Sequence, residues 1–168
     1  GTLEVEGTEL TTLSRRELAQ YRREQCGFVF QSFNLLPTLT VRENVEAGLE
    51  PLRMARAEIR RRAEAALDAV GLSDKAIRFP HELFGGEQQR VAVARACAKE
   101  PLMLLADEPT GNLDEEAGAR VLDLVFDLTG TKRGPRTVIV VTHDPSVAGR
   151  ADTVLTLRAH NIEVARAP

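Results

Sequence analysis

The chain reads as an α/β domain built on a mainly parallel sheet. Three short runs carry that reading: GFVF at residues 27–30, LMLLA at 102–106 and TVIVV at 137–141. Each is solidly apolar, the pattern of a strand covered on both faces. Between them lie longer stretches with helical apolar spacing and marked starts, and alternation of β and α in this order builds a parallel sheet.

The elements follow in order. Residues 2–7, TLEVEG, alternate like an edge or half-exposed strand. Ser14 with Glu17, and Thr40 with Glu43, fit the capping box, in which side chains satisfy the orphan amides of a first helical turn. Pro51 closes the second of these helices. From Ala55 onward, Ile59, Ala63, Ala66, Leu67 and Val70 recur at helical spacing, and Gly71 supplies a left-handed stop. The other face carries Arg56, Arg60, Arg61 and Arg62, read as a solvated surface. A further helix is expected over about 86–98, and another over 115–128 with Asp114 as its cap and Gly130 as its end. There is no internal repeat, low-complexity tract or clear linker.

At 168 residues and 43% apolar composition the chain has the size and core of one domain. Lys and Arg (22) nearly balance Asp and Glu (25), for a net charge of -3, so overall charge gives no reason to expect nucleic-acid binding or attraction to an anionic membrane. No apolar run approaches the ~20 residues of a membrane span, and no signal sequence opens the chain, so the expected place is the cytoplasm. Cys26 and Cys97 have no metal-ligand spacing to each other or to His81, His143 and His160, and are assigned no role. A first residue Gly1 rather than Met fits a start inside a longer reading frame.

The chemistry concentrates in LMLLADEPTGNLD, residues 102–114. A buried strand ending in two carboxylates puts Asp107 and Glu108 at the carboxyl edge of the sheet, where open α/β folds bind ligands. Neighbouring side chains on a strand point in different directions, which suits one to a metal and the other to a water. Alone, DE after a strand reads as two acids capping a loop. The PTGNLD that follows and the upstream LFGGEQQR reverse that judgement.

Together these segments resemble the nucleotide-binding domain of ATP-binding cassette (ABC) transporters. GFVFQSFNLLPTLTVREN resembles the family's Q-loop, LFGGEQQRVAVARA its signature motif, LMLLADE its Walker B strand, GNLD its D-loop and VIVVTHD its H-loop. They come in the family's order over nearly the whole chain. DEPTGNLD is similar to the subgroup serving lipoprotein release, macrolide or peptide export and the related cell-division complex. The resemblance implies a P-loop NTPase-type three-layer sandwich with a mainly parallel sheet and a helical subdomain over approximately 38–98, incomplete at its N-terminus. It implies ATP and Mg²⁺ as cofactors, with transmembrane permease subunits and a second nucleotide-binding subunit as partners. The implied place is the inner face of the cell membrane, and no nucleic acid is implied.

It also implies roles for residues. Asp107 holds Mg²⁺ through water, and Glu108 acts as general base or orients the attacking water, a role worth ~10² to 10⁴ in rate. Gln31 lies between the Mg²⁺ or water and the permease, His143 contacts the γ-phosphate, and Asp114 serves the opposite subunit while capping its own helix. Phe84, Gly85, Gly86 and Glu87 form the surface that closes on ATP held by the other subunit. There the two glycines let backbone approach a phosphate at a helix start, where free amides favour an anion.

The chain departs from the family in two places. Phe84 stands where the family usually has serine, and a lost hydrogen bond to a charged group costs about 1.5 to 3 kcal/mol, roughly one to two orders of magnitude in affinity. Further, the 168 residues contain no G-x-x-x-x-G-K-[ST], the loop whose amides and lysine cradle phosphates. In the family that loop comes just before a segment like residues 1–7, so the chain is expected to begin after the P-loop strand and helix and the aromatic residue that stacks on adenine. The absent strand is expected inside the sheet beside the Walker B strand, leaving unpaired backbone and apolar faces and a fragment prone to self-association.

The resemblance implies a transporter ATP-binding subunit that hydrolyses ATP as a dimer when whole, the present chain being expected inactive alone. The alternative is a non-catalytic remnant or regulatory module, which Phe84 favours. A soluble ABC protein of DNA repair or translation is disfavoured because about fifty residues between Gln31 and the signature leave no room for a long heptad insertion.

Overall fold

The computed structural model describes residues 1–128, 135, 137–158 and 161–166. Its elements are β1 (Glu4–Val5), β2 (Thr8–Glu9), α1 (Arg15–Gln25), β3 (Cys26–Phe30), α2 (Val41–Leu49), α3 (Arg56–Ala69), α4 (Gly85–Cys97), β4 (Met103–Asp107), α5 (Glu115–Leu128), β5 (Thr137–Val141), α6 (Pro145–Ala148), β6 (Thr153–Arg158) and β7 (Asn161–Arg166). The three solid apolar runs are the three parallel strands, in the order β3-β4-β5. Two antiparallel hairpins, β1-β2 and β6-β7, complete the strands.

Local sequence sets most helix ends. Ser14 and Thr40 both close full capping boxes with Glu17 and Glu43. Asp114 caps α5, its Oδ1 accepting from the Ala117 amide at 2.8 Å. Gly71 takes φ +66 after α3, the left-handed conformation that stops the helix. The expected helix end at Gly130 lies outside the described residues. On α3, Glu58 accepts from both Arg61 and Arg62, and those hydrogen bonds hold its carboxyl down to about 2.

Helix α4 is shared between two cores. Its Val91 and Ala94, with Ala98 just past its end, pack with Val41, Val45 and Leu49 of α2 and with Ala63 and Leu67 of α3. Its Val93 and Ala96 pack with Val29, Leu104 and Ala106 of the sheet and with Val121 and Val125 of α5. One rigid element therefore joins the helical layer to the sheet. Gly27 and Gly48 permit the close approach: a Cβ on Gly27 would sit 2.8 Å from the Ala96 carbonyl, and one on Gly48 2.8 Å from Arg95 Cγ.

Two expectations are corrected. Strand β4 is not open on a side: Met103 to Asp107 pair in register with Cys26 to Phe30 on one edge and with Thr137 to Val141 on the other. No place remains beside it for another strand, and among the described residues the open edges belong to β3 and β5. Nor is β5 covered on both faces. Its burial alternates, with Val138 and Val140 against the core but Ile139 44% and Val141 58% exposed. The run is apolar on two faces, yet among the described residues only one meets a packed layer.

Candidate functional site

The register of the sheet levels three strand ends. Phe30 pairs with Asp107, and Asp107 with Val141, so Gln31, Glu108 and the turn carrying His143 leave the sheet side by side. These are the residues that the sequence singles out, and the parallel pairing gathers them from positions over a hundred residues apart.

Glu108 is the hinge of this edge. It takes φ +45, a left-handed conformation that costs a non-glycine residue of order 1–3 kcal/mol. Two backbone bonds impose it: the Glu108 amide donates to the Val141 carbonyl at 2.9 Å, and the Gly111 amide donates to the Glu108 carbonyl at 3.1 Å. The side chain meets His143, with Oε1 2.7 Å from Nδ1. The imidazole is largely exposed, while the carboxylate is mostly covered. This hydrogen bond, and then the carboxylate's charge, raise the His143 pKa above its ordinary 6.5. The turn is held in its own right, since the Asp144 amide donates to Thr142 Oγ1 at 3.0 Å and Asp144 Oδ1 caps α6 through the Ser146 amide at 2.8 Å.

Gln31 is exposed and tied to the loop after Glu108. Its Nε2 donates to Asn112 Oδ1 at 3.2 Å, and Asn112 Nδ2 donates back to the Gln31 carbonyl at 3.0 Å. Gly111 makes room: a Cβ there would lie 2.7 Å from Gln31 Nε2. Asp107 ends β4 with an exposed carboxylate. No group of three or more His, Cys, Asp or Glu among the described residues could hold a metal by itself. Asp107 and Gln31 offer hard oxygen donors, the set that suits Mg²⁺ completed by water and phosphate oxygens.

The double-glycine start of α4 approaches the same loop from the side. Positions 85 and 86 meet the residues after Gly111: a Cβ on Gly85 would touch Leu113 at 3.4 Å, and one on Gly86 would lie 2.9 Å from Ala117 Cβ. Close packing against α5 thus accounts for glycine at 86. Phe84 is 82% exposed at the N-cap position and gives no side-chain cap. Only the reverse half of a capping box exists, Glu87 Oε2 accepting from the Phe84 amide at 3.2 Å. Glu87 also pairs with Lys75. No hydrogen bond joins Phe84, Gly85 or Gly86 to Asp107, Glu108 or His143 among the described residues.

Sequence reading missed the side chains that hold these loops. Gln89, fully buried, donates from Nε2 to the Phe30 carbonyl at 3.2 Å and to the Pro109 carbonyl at 2.6 Å. Arg95 Nη2 donates to the Phe33 carbonyl at 2.8 Å, under the left-handed pair Phe33 and Asn34. Asn44, also buried, accepts from the Leu36 amide at Oδ1, and its Nδ2, with two hydrogens to give, lies within hydrogen-bond reach of the Leu36, Leu39 and Thr40 carbonyls. One signal was available for Gln89: it sits at apolar spacing with Val93 and Ala96, where a polar residue needs buried partners. The thiols take no part. Cys26 is buried, and burial pushes the Cys97 thiol up to about 12.

Among the described residues no helix is long and apolar enough to cross a membrane. The family model described as ABC transporter matches residues 1–111. An ABC transporter ATP-binding protein of Mycobacterium tuberculosis is 44% identical over 158 residues, covering 94% of this chain and 63% of that protein. The macrolide export ATP-binding/permease protein MacB of Shigella flexneri is also 44% identical over 158 residues, covering 94% of this chain and 24% of its own length. The solved dimeric structure of a post-hydrolysis state of the ATP-binding cassette MJ0796, bound to ADP and Pi, superposes with a TM-score of 0.83 at 37% identity, covering 100% of this chain and 74% of that one. The chain thus spans about two-thirds or less of the length of the first relatives it matches. With motif order, fold and family model in agreement, the chain belongs to the ABC transporter family.

Proposed function

We propose that this chain is the ATP-binding part of a transporter, coupling ATP binding and hydrolysis in a dimer to movement of a membrane permease. The observation that carries this reading is the contact of Glu108 with His143 at 2.7 Å, level with Gln31 on the same sheet edge. In it, Glu108 accepts the proton of the attacking water or orients that water, and His143 donates to the terminal phosphate. Asp107, with Gln31, would hold Mg²⁺, which neutralises phosphate charge when bound. Phe84, Gly85, Gly86 and Glu87, with Asp114, face the nucleotide of the second copy. Residues 38–98 form the helical subdomain that meets the permease, and the assembly lies on the inner face of the membrane. The dimeric, ADP-bound state of the solved relative supports the pairing and the nucleotide.

One observation favours a second reading, a regulatory module without turnover: an exposed phenylalanine stands at the N-cap of α4, where a hydroxyl would serve a phosphate. The full-length protein, reconstituted with its permease, separates the two. Under the first reading Glu108→Gln keeps MgATP binding and lowers turnover by ~10² to 10⁴. Hydrolysis near the wild-type rate in that variant would remove Glu108 as the base. A wild-type protein that by itself neither binds nor consumes ATP would favour the second reading.

A further inference from the structure

The two segments that carry the proposed chemistry share a buried fastener. Phe30 immediately precedes Gln31, Pro109 immediately follows Glu108, and both carbonyls accept hydrogens from the same nitrogen, Nε2 of Gln89. The amide's orientation is fixed by those partners, because a flipped amide would set Oε1 against two carbonyl oxygens. That orientation leaves Gln89 Oε1 buried and without a hydrogen-bond partner. A buried orphan acceptor is destabilising, but an apolar side chain here would take away the donor to the Phe30 and Pro109 carbonyls, so the amide is kept by the two loops it joins.

Gln89 also lies on the helix whose first turn holds Gly85 and Gly86 and packs against Leu113 and Ala117. Motion of α4 therefore reaches the loops after β3 and β4 through this amide, besides the packing of Val93 and Ala96 on the strands themselves. We propose that Gln89 is a positioning residue, which sets the spacing and order of the loops bearing Gln31 and Glu108 and ties both to the start of α4. This rests on the site assignment above only for its consequence in catalysis; the mechanical role stands on the two hydrogen bonds.

Gln89→Met keeps length and volume and removes both donors. Amide hydrogen exchange on the full-length protein, followed by mass spectrometry, reads the outcome without requiring ATPase activity. In the variant, peptides containing Phe33 and Gly111, whose amides bond back to Phe30 and Glu108, are expected to exchange at least about tenfold faster. Peptides from α3 keep their wild-type rates, and the melting temperature falls by about 2–12 °C as the Pro109 carbonyl loses its donor. Unchanged exchange in both loops, or equal acceleration in α3, would overturn the proposal. If Gln89→Met does not fold, Gln89→Asn, which keeps the amide but is one methylene too short to reach both carbonyls, is expected to give the same local pattern. Where the wild type hydrolyses ATP, kcat falls about tenfold or more with KM for MgATP unchanged, and a rise in KM alone would count against positioning. Loop loosening in a protein without ATPase activity would sink the catalytic reading and leave the fastener intact.

Discussion

Glu108 Oε1 lies 2.7 Å from His143 Nδ1, joining the residue after β4 to the turn after β5 across a pair of parallel strands. The hydrogen bond and the charge of Glu108 favour the imidazolium, so the folded pKa of His143 is raised above 6.5. The stabilisation this gives is complete below about pH 6.5 and is lost as pH rises through the higher folded value. NMR titration of the imidazole is expected to place His143 above the ordinary histidine value of 6.5 in wild type, and Glu108→Gln to bring it back down. The melting difference between the two proteins is larger near about pH 6 than near about pH 8.5. A histidine titrating identically in both would mean that the contact does not persist in solution.

Phe84 occupies an N-cap position with φ -70 and ψ 158, the extended geometry that a serine cap adopts, and contributes no hydrogen bond from its side chain. Glu87 already supplies the reverse half of a capping box. Phe84→Ser is expected to complete the box and stabilise the fold by about 1 kcal/mol, with little burial lost because the ring is mostly exposed. Calorimetry checks this as a rise of about 2–4 °C in Tm. The same change supplies a hydroxyl at the proposed phosphate surface, so turnover of the full-length protein should rise as well. A serine variant that melts lower would show that the ring is held by contacts this geometry lacks.

What the sequence made legible follows the range of the forces involved. The capping boxes at Ser14 and Thr40, the Gly71 stop and the Asp114 cap are set within one turn of chain, and each was readable from its neighbours. The DE pair was readable because a strand's end is a local event. Strand order was not: β4 is flanked on both sides by strands that chain order does not rank, and an apolar run cannot say how many of its faces meet a layer. The glycines of the signature illustrate the same limit. Their pattern points to a phosphate, but the atom that forbids a side chain at Gly86 belongs to Ala117 on another helix. Gln89 and Arg95 act on residues about sixty positions away, where no spacing rule reaches.

Two glycine substitutions should separate packing from positioning. An alanine Cβ at 86 would meet Ala117 Cβ at 2.9 Å, a contact between two helices with no flexible end to give way. Gly86→Ala is expected to destabilise by about 1–3 kcal/mol, as overpacking does. At 111 the atom met is Gln31 Nε2, the free end of a flexible exposed side chain, at 2.7 Å. Gly111→Ala should therefore change stability by less than about 1 kcal/mol while displacing Gln31 from Asn112. Urea titration gives the first comparison, and exchange at the loop containing Asn112 the second. Equal destabilisation by both substitutions would contradict this division.

Leu155 and Leu157 project on one face of the β6-β7 hairpin, and Ile162 is the cross-strand partner of Leu157. The three are 59%, 77% and 63% exposed. Strand β5 separately shows Ile139 and Val141 on its uncovered face. Apolar side chains gathered in this way favour association, since burying each removes several tens of Å² from water at about 25 cal/mol per Å². The 168-residue chain is expected to associate in a concentration-dependent manner, with sedimentation velocity showing species above the monomer as concentration rises. Leu157→Lys places a charge in the hairpin patch, and Ile139→Lys does so on the β5 face, so the variant that restores the monomer identifies the surface responsible. Association left intact by both changes would place the contact elsewhere, and a wild-type chain that stays monomeric at every concentration would mean that these faces are too small to drive it.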